Sequence, residues 1–185
     1  MRRLTATVVG LLICLSQPAQ AADDRAAFLV KLFSAVCIPN MGNPNGVRAW
    51  AAAKHLNQIE TAGWLDVFVG PGDNGGAWAI PTAYGNFALS IRGKTEGCAV
   101  WALAADPAEV ETDFKAIVEG VKQPGIKVRI DKDTATDSPS GRVRALVYNV
   151  IAPRAPAGYE FTMLTAERTG GAFQASIQVA KASAD

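Results

Sequence analysis

The N-terminal part of the chain shows the spacing of apolar residues that is typical of amphipathic helices. Apolar side chains recur every three or four positions from Asp23 to Cys37, which predicts a first helix there. An alanine-rich stretch from about Val47 to Leu56 predicts a second helix, and residues 38–46, dense in Pro, Asn and Gly, predict a loop between the two. Residues 64–69 are apolar, but their pattern does not distinguish a helix from a strand.

The middle of the chain alternates short apolar segments with turns. Three strands are predicted, Ala77–Thr82, Asn86–Arg92 and Cys98–Ala104, and their connections are short enough for antiparallel hairpins. The segment Gly70–Gly76, with the sequence GPGDNGG, predicts a flexible loop before the first of these strands.

A third helix is predicted to begin after Asp106. A side-chain cap at Asp106, a proline in the first turn and an acid at Glu109 are the usual signals of a helix start. Pro124 and Gly125 are expected to end it. The buried face of this helix is predicted to carry Val110, Phe114, Ile117, Val118 and Val121.

The last third of the chain has the pattern of strands and turns. Lys127–Ile130 and Arg142–Ile151 are predicted strands that flank a polar stretch, residues 131–141. Glu160–Arg168 and Ala172–Ala180 are predicted strands joined at Thr169-Gly170-Gly171, which is a hairpin signal. Apolar and polar residues alternate in the final strand, so one of its faces should be buried and the other solvated.

This order of elements predicts an α+β domain. We expect an antiparallel sheet of about six to seven strands, packed on one side with two N-terminal helices and one central helix. Residues 22–185 are expected to form this single domain, because they are enough for one core and too few for two.

The first 21 residues have the three parts of a secretory signal peptide. A pair of arginines follows Met1, an apolar run extends over Val8–Leu15, and Ala19-x-Ala21 offers the small residues of a cleavage site. We therefore predict that residues 1–21 are removed by cleavage after Ala21. An uncleaved anchor is the alternative, but the run is shorter than the roughly 20 apolar residues that cross a bilayer.

Two other export routes fit the leader less well. Cys14 would become the first mature residue of a lipoprotein, but that processing requires a small residue before the cysteine, and Ile13 occupies the position. Arg2 and Arg3 suggest the twin-arginine route, which nothing else in the leader supports. The predicted location is the periplasm or the exterior, by ordinary export.

Charge argues against several classes of partner. The chain has 18 basic and 17 acidic side chains, and loss of the two leader arginines would leave 16 basic side chains and a net charge of −1. Nucleic-acid binding relies on an excess of basic residues that releases counterions, so no nucleic-acid partner is expected. No second segment is apolar enough to span a membrane, so no transmembrane span is expected in the mature protein.

Cys37 and Cys98 remain once the leader is removed. In an oxidising compartment two thiols in a small domain favour a disulfide, here closing a loop of about 60 residues and contributing roughly 4 kcal/mol. A redox pair is the alternative, but catalytic pairs usually form a close Cys-x-x-Cys motif. We therefore expect a structural disulfide.

The residues typical of catalysis and metal binding are sparse. His55 is the single histidine, and no Gly-x-Ser-x-Gly motif accompanies it, so it is interpreted as a solvent-facing side chain. Alternating carboxylates in residues 131–137 suggest a calcium loop, but the positions that an EF-hand requires carry Ala135, Thr136 and Arg142. We predict no catalytic residues, no metal site and no cofactor.

The candidate binding surface combines two glycine-containing loops. The first is Gly70–Gly76, with Asp73 and Asn74, which is followed by Trp78. Exposed loops often carry binding residues, and indoles can stack on ligands, although core packing is the commoner role of a strand tryptophan such as Trp78 or Trp101. The second loop, residues 42–46, adds Arg48 and Trp50.

Several of these features together resemble a family of small exported proteins and lipoproteins of proteobacteria with no assigned activity. The shared elements cover roughly residues 37–104, and the resemblance implies secretion and a Cys37–Cys98 disulfide. It implies no catalytic residues. The matching segments are Cys37, Gly42-Asn43-Pro44 to Val47-Arg48-Ala49-Trp50, Gly76-Ala77-Trp78, Phe87-Ala88-Leu89 and Cys98-Ala99-Val100.

These observations favour a non-enzymatic envelope protein that binds a protein or small-molecule partner or supports an envelope assembly. Two alternatives stay open. One is a hydrolase-like enzyme whose site is assembled from residues distant in sequence, and the other is an inhibitor or immunity-type protein whose loops block a target.

Overall fold

The computed structural model describes residues 23–138, 141–153, 158–168 and 171–182. The predicted leader, with Cys14 and the cleavage site after Ala21, lies outside the described residues, as do Thr169 and Gly170 of the predicted hairpin turn. The export signal therefore stays a prediction. Within the described residues, no helix has the length and apolar character needed to span a membrane.

Two N-terminal helices form, as the apolar spacing predicts. Helix α1 spans Asp24–Val36, and the carboxylate of Asp23 caps it by accepting a hydrogen bond from the backbone N–H of Arg25. Helix α2 spans Pro44–Ala53. It begins three residues earlier than predicted because the Asn43 side chain caps it and proline suits its first turn.

The connection between α1 and α2 was predicted entirely as a loop, and this was wrong in part. Residues Ile38–Asn40 form a short 3-10 helix, and Asn40 donates a side-chain hydrogen bond of 2.8 Å to the carbonyl of Val36. The bond satisfies one of the carbonyls left open at the end of α1.

The apolar segment near residue 64 is a helix that the sequence pattern did not identify. Strand β1, Asn57–Gln58, is only two residues long, and helix α3 follows at Ala62–Val69. Helix α3 packs on β2 and β3. Three helices therefore precede the first hairpin, where two were predicted.

Three strands follow at almost the predicted positions. Strand β2 spans Gly76–Thr82, β3 spans Gly85–Arg92 and β4 spans Gly97–Ala102. They pair in two antiparallel hairpins, with Trp78 opposite Leu89 and Leu89 opposite Val100. The short turns between them explain why hairpin patterning identified these strands correctly.

Helix α4 spans Pro107–Gly120 and begins as predicted. The carboxylate of Asp106 accepts hydrogen bonds of 2.9 Å from the backbone N–H groups of Ala108 and Glu109. Val110, Phe114 and Val118 are buried, as predicted for this face, whereas Ile117 and Val121 are half-buried and pack against the core.

Of the remaining four strands, the first two extend further than the sequence suggested, and the last two are shorter than predicted. Strand β5 spans Lys127–Ser138, and β6 spans Gly141–Ile151. The polar stretch after Ile130 is therefore strand, because β5 pairs with β6 along its whole length. The sheet is completed by β7, Tyr159–Ala166, and β8, Ala175–Lys181.

The eight strands form one antiparallel sheet in the order β1-β2-β3-β4-β8-β7-β6-β5. The predicted α+β class is confirmed, and the sheet has slightly more strands than the six to seven expected. Strand β5 is an outer strand whose side chains are almost all exposed, and a bulge interrupts its pairing between Ile130 and Lys132. Charged side chains and a bulge discourage further pairing at a sheet edge.

Helices cover both faces of the sheet, whereas the sequence predicted one covered side. The main core lies between the sheet and α1, α2 and α4. A smaller cluster on the other face joins Phe68 of α3 to Trp101 and Phe173. The indole N–H of Trp101 donates a 2.9 Å hydrogen bond to the Ser90 hydroxyl, which lies 3.4 Å from the Phe68 carbonyl.

A disulfide joins Cys37, at the end of α1, to Cys98 in β4. Their Cα atoms are 5.4 Å apart, and their side chains are buried in the main core. The predicted crosslink between the first helical region and the middle of the sheet is present.

Candidate functional site

The structure brings three residues of the predicted binding surface together at the start of β2. Arg48 on α2 donates a 3.2 Å hydrogen bond to the backbone carbonyl of Asn74. The Asp73 carboxylate accepts hydrogen bonds from the backbone N–H groups of Gly93 at 2.7 Å and Lys94 at 3.3 Å. Asp73 thus fixes the β3–β4 turn against the loop before β2.

Gly93 lies close to the side chain of Asn74. A Cβ atom on Gly93 would overlap this side chain, so a substitution there would require the exposed Asn74 side chain to move. The Gly70–Gly76 loop is thus held by Asp73, Asn74 and Arg48 through contacts within the protein.

The two tryptophans of the predicted surface differ in exposure. Trp78 on β2 is only 6% exposed and belongs to the main core, whereas Trp50 on α2 is half-buried and packs against that core. Trp101 is also buried. A binding role for the loop surface stays a prediction, and its indoles are held largely by packing.

The strongest candidate for a ligand site is a different feature, an apolar cleft at the C-terminal end of α4. We call it the α4 cleft. It has a volume of about 280 Å³. Its lining consists of Met41, Gly120, Val121, Gln123, Ile126, Val150, Ala152, Tyr159 and Phe161.

The local sequence accounts for the shape of the α4 cleft. Helix α4 ends at Gly120, and the turn through Pro124 and Gly125 leads the chain away into β5. Gly120 contributes no side chain, and a Cβ atom placed on it would meet no atom within 4 Å. The end of α4 therefore leaves open space over the sheet, with the buried residues Val150 and Phe161 at its base.

One side of the α4 cleft ends in a polar group of atoms around Gly42. A Cβ atom on Gly42 would lie 3.0 Å from the Tyr159 hydroxyl oxygen, 3.4 Å from Cε of Lys181 and 3.6 Å from a carboxylate oxygen of Glu96. Gly42 has φ of +69°, a conformation that suits glycine, and Met41 beside it lines the cleft.

Lys181 and Glu96 form an ion pair at this polar side. The Lys181 ammonium donates to a Glu96 carboxylate oxygen at 2.6 Å. This hydrogen bond from Lys181 to Glu96 is the main factor that raises the pKa of Lys181 above its usual value. The hydroxyl of Tyr159 has no hydrogen-bond partner among the described residues.

Two further depressions, of similar volume, lie elsewhere among the described residues. One, of about 260 Å³, is formed by the Trp101 side of the sheet and the segment before β8, including Leu164 and Phe173. The other is charged and lies beside the first turns of α4, where Arg144 pairs with Glu111 at 3.3 Å and with Asp133 at 3.1 Å. Within its lining Glu111 and Arg144 thus pair with each other, and the Glu167 carboxylate accepts a 3.2 Å hydrogen bond from the backbone N–H of Arg142.

The residues weighed for catalysis and metal binding stay apart. His55 lies just after α2 and is exposed, and the carboxylates of residues 131–137 lie along the exposed strand β5. In the described part of the chain, no three His, Cys, Asp or Glu side chains converge as metal ligands would.

The sequence interpretation missed the α4 cleft because its lining comes from four separate segments of the chain. Each lining residue by itself looks like an ordinary core residue. The available signal was the glycine at the end of α4 followed by Pro124 and Gly125, which shortens the helix above the sheet.

No protein-family model matches the chain, and no curated protein or solved structure gives a significant match. The resemblance to a family of exported proteins therefore stays a prediction.

Proposed function

We propose that this chain is an exported, non-enzymatic binding protein whose ligand is a small apolar molecule held in the α4 cleft. The observation that supports the proposal is the cleft's lining, in which seven of the nine described residues present apolar or aromatic side chains around about 280 Å³ of open space. Ligand sites are typically concave and mostly apolar, with volumes of about 300–1,000 Å³, so this cleft suits a single alkyl chain or a small ring system.

The chemistry of the lining favours binding over catalysis. General acid–base catalysis needs titratable groups that converge on a substrate, and among the described lining residues Tyr159 is the single titratable side chain. Apolar surface in contact with water is unfavourable by about 25 cal/mol per Å². A ligand that covers the half-buried Met41, Val121 and Ile126 would therefore gain affinity from surface that the fold leaves uncovered.

Export is the second part of the proposal. The leader pattern of residues 1–21 supports it, and the buried Cys37–Cys98 disulfide is compatible with an oxidising compartment. We propose that the mature protein begins at Ala22 in the periplasm or outside the cell. Mass measurement of the protein from an envelope fraction tests this, and an intact chain with reduced thiols in the cytosol would contradict it.

Binding is tested with the uncharged fluorophore 1-N-phenylnaphthylamine and the purified protein, residues 22–185. Gly120→Leu places a side chain in the open space at the end of α4, where a new Cβ meets no atom within 4 Å. We expect it to weaken probe binding at least about tenfold, because the leucine occupies the ligand's volume.

Gly63→Leu is the matched control. Gly63 also lies in a helix, its added Cβ also meets no atom within 4 Å, and it is not in the α4 cleft. Both variants replace a helical glycine with a better helix former, so both should fold. The proposal fails if the wild-type protein does not bind the probe, or if both variants bind it as the wild type does.

A further inference from the structure

The polar atoms at one side of the α4 cleft define the ligand further. We infer that the ligand is an amphiphile with one alkyl chain and an uncharged hydrogen-bonding head group, and that the Tyr159 hydroxyl is the group that recognises this head. The inference rests on the proposed function, since it concerns the same cleft.

The position of Tyr159 supports a two-part ligand. Its ring lines the apolar cleft, and its hydroxyl reaches the polar atoms around Gly42, Lys181 and Glu96. A ligand whose chain lies along Met41 and Phe161 would thus place its head beside this hydroxyl. The hydroxyl can donate to and accept from such a head, and it makes no hydrogen bond with a described residue.

The charges at this side favour an uncharged head. Lys181 and Glu96 neutralise each other through a 2.6 Å hydrogen bond. An anionic head would meet a Lys181 charge already offset by Glu96, and a cationic head would meet a Glu96 charge already offset by Lys181. An alcohol, amide or ester group can bind Tyr159 and leave this charge-assisted bond intact.

Competition against bound 1-N-phenylnaphthylamine tests the inference with three ten-carbon ligands: 1-decanol, decanoate and decylammonium. We expect 1-decanol to displace the probe from the wild-type protein at about tenfold lower concentration than either ion. Since an alcohol is more apolar than an ion, this ranking alone does not identify the recognition group, and variants are needed.

Tyr159→Phe keeps the ring and removes the hydroxyl. We expect it to lower the affinity for 1-decanol about fivefold relative to the probe affinity of the same variant, as loss of one hydrogen bond predicts. Tyr84→Phe is the matched control, because Tyr84 is exposed in the β2–β3 turn and does not line the cleft, so it should leave the affinity unchanged.

Glu96→Gln removes the partner charge of Lys181. In this variant the affinity for decanoate should rise about tenfold, because the ammonium becomes available to the carboxylate head.

Gln123 is the other polar residue among the described lining residues. The competing hypothesis is that the head group binds the Gln123 side chain instead of the Tyr159 hydroxyl.

The outcomes separate this inference from the proposed function. Absence of probe binding by the wild-type protein defeats the proposed function. Probe binding with an unchanged 1-decanol affinity in Tyr159→Phe, or with a loss in Gln123→Leu instead, defeats the inference alone. An unchanged decanoate affinity in Glu96→Gln also counts against it.

Discussion

Removal of the Cys37–Cys98 disulfide should destabilise the domain by an amount that the loop length sets. The two cysteines are 61 positions apart in sequence. On the chain-entropy model, opening a loop of that size returns about 4 kcal/mol of conformational freedom to the unfolded chain. The crosslink joins the end of α1 to β4. Without it, these two segments of the main core are no longer held together when the chain is unfolded.

The substituting residue affects the size of the loss. Cys37 is fully buried and Cys98 is 3% exposed. A Cys37→Ala, Cys98→Ala double variant keeps both positions apolar, so its loss should approach the entropic value of about 4 kcal/mol. A Cys37→Ser, Cys98→Ser double variant also buries two hydroxyl groups, each of which costs about 1–3 kcal/mol if it finds no partner.

Urea denaturation of residues 22–185, with and without reductant, measures these differences. We expect reductant to destabilise the wild-type protein and to leave the Ala double variant unchanged, because that variant has no disulfide to reduce. A loss below about 1 kcal/mol in the Ala double variant would refute the chain-entropy reasoning for this crosslink. Serine variants as stable as the alanine variants would refute the argument from burial.

Two further predictions concern hydrogen-bonded carboxylates. Burial acts to raise the pKa of Asp23, but hydrogen bonds from Arg25 and from the backbone N–H of Asp106 outweigh it and hold the pKa below its usual value. The ionised Asp23 carboxylate should therefore stabilise the folded domain above its unfolded pKa of about 3.9, and this stabilisation should be lost as pH falls through the lower folded pKa. Denaturation curves at a series of pH values measure the effect. An Asp23→Asn variant with the same acid dependence as the wild type would contradict it. Asp73→Ala should cost about 1–3 kcal/mol, because it leaves the backbone N–H of Gly93 without its acceptor, and faster amide exchange at the β3–β4 turn is the check.

Local signals predicted much of the fold. The predicted start of α4 was correct because Asp106 and Pro107 determine it through contacts within one helical turn. The predicted hairpins of β2, β3 and β4 were correct because strands joined by such short connections pair antiparallel.

Elements that depend on distant contacts were missed. Trp64, Val67 and Phe68 favour a strand by propensity, yet α3 is a helix because it packs on a sheet face of small residues such as Ala88. The polar part of β5 has no apolar alternation, and its pairing with β6 makes it a strand.

The same reasoning applies to the candidate site. The Gly70–Gly76 loop was singled out for its composition, which says nothing of the internal hydrogen bonds made by Asp73. The α4 cleft forms because Met41, Val121 and Tyr159 come together from separate parts of the chain. Their spacing in sequence does not predict that they lie close in the fold.

Methyl chemical shifts during titration with 1-decanol test most directly whether the α4 cleft is the ligand site. The account predicts saturable shifts at Met41, Val121 and Ile126, with Val143 and Leu164 beside Trp101 unaffected. Shifts confined to Val143 and Leu164, or no saturable shift at any of these methyl groups, would contradict it.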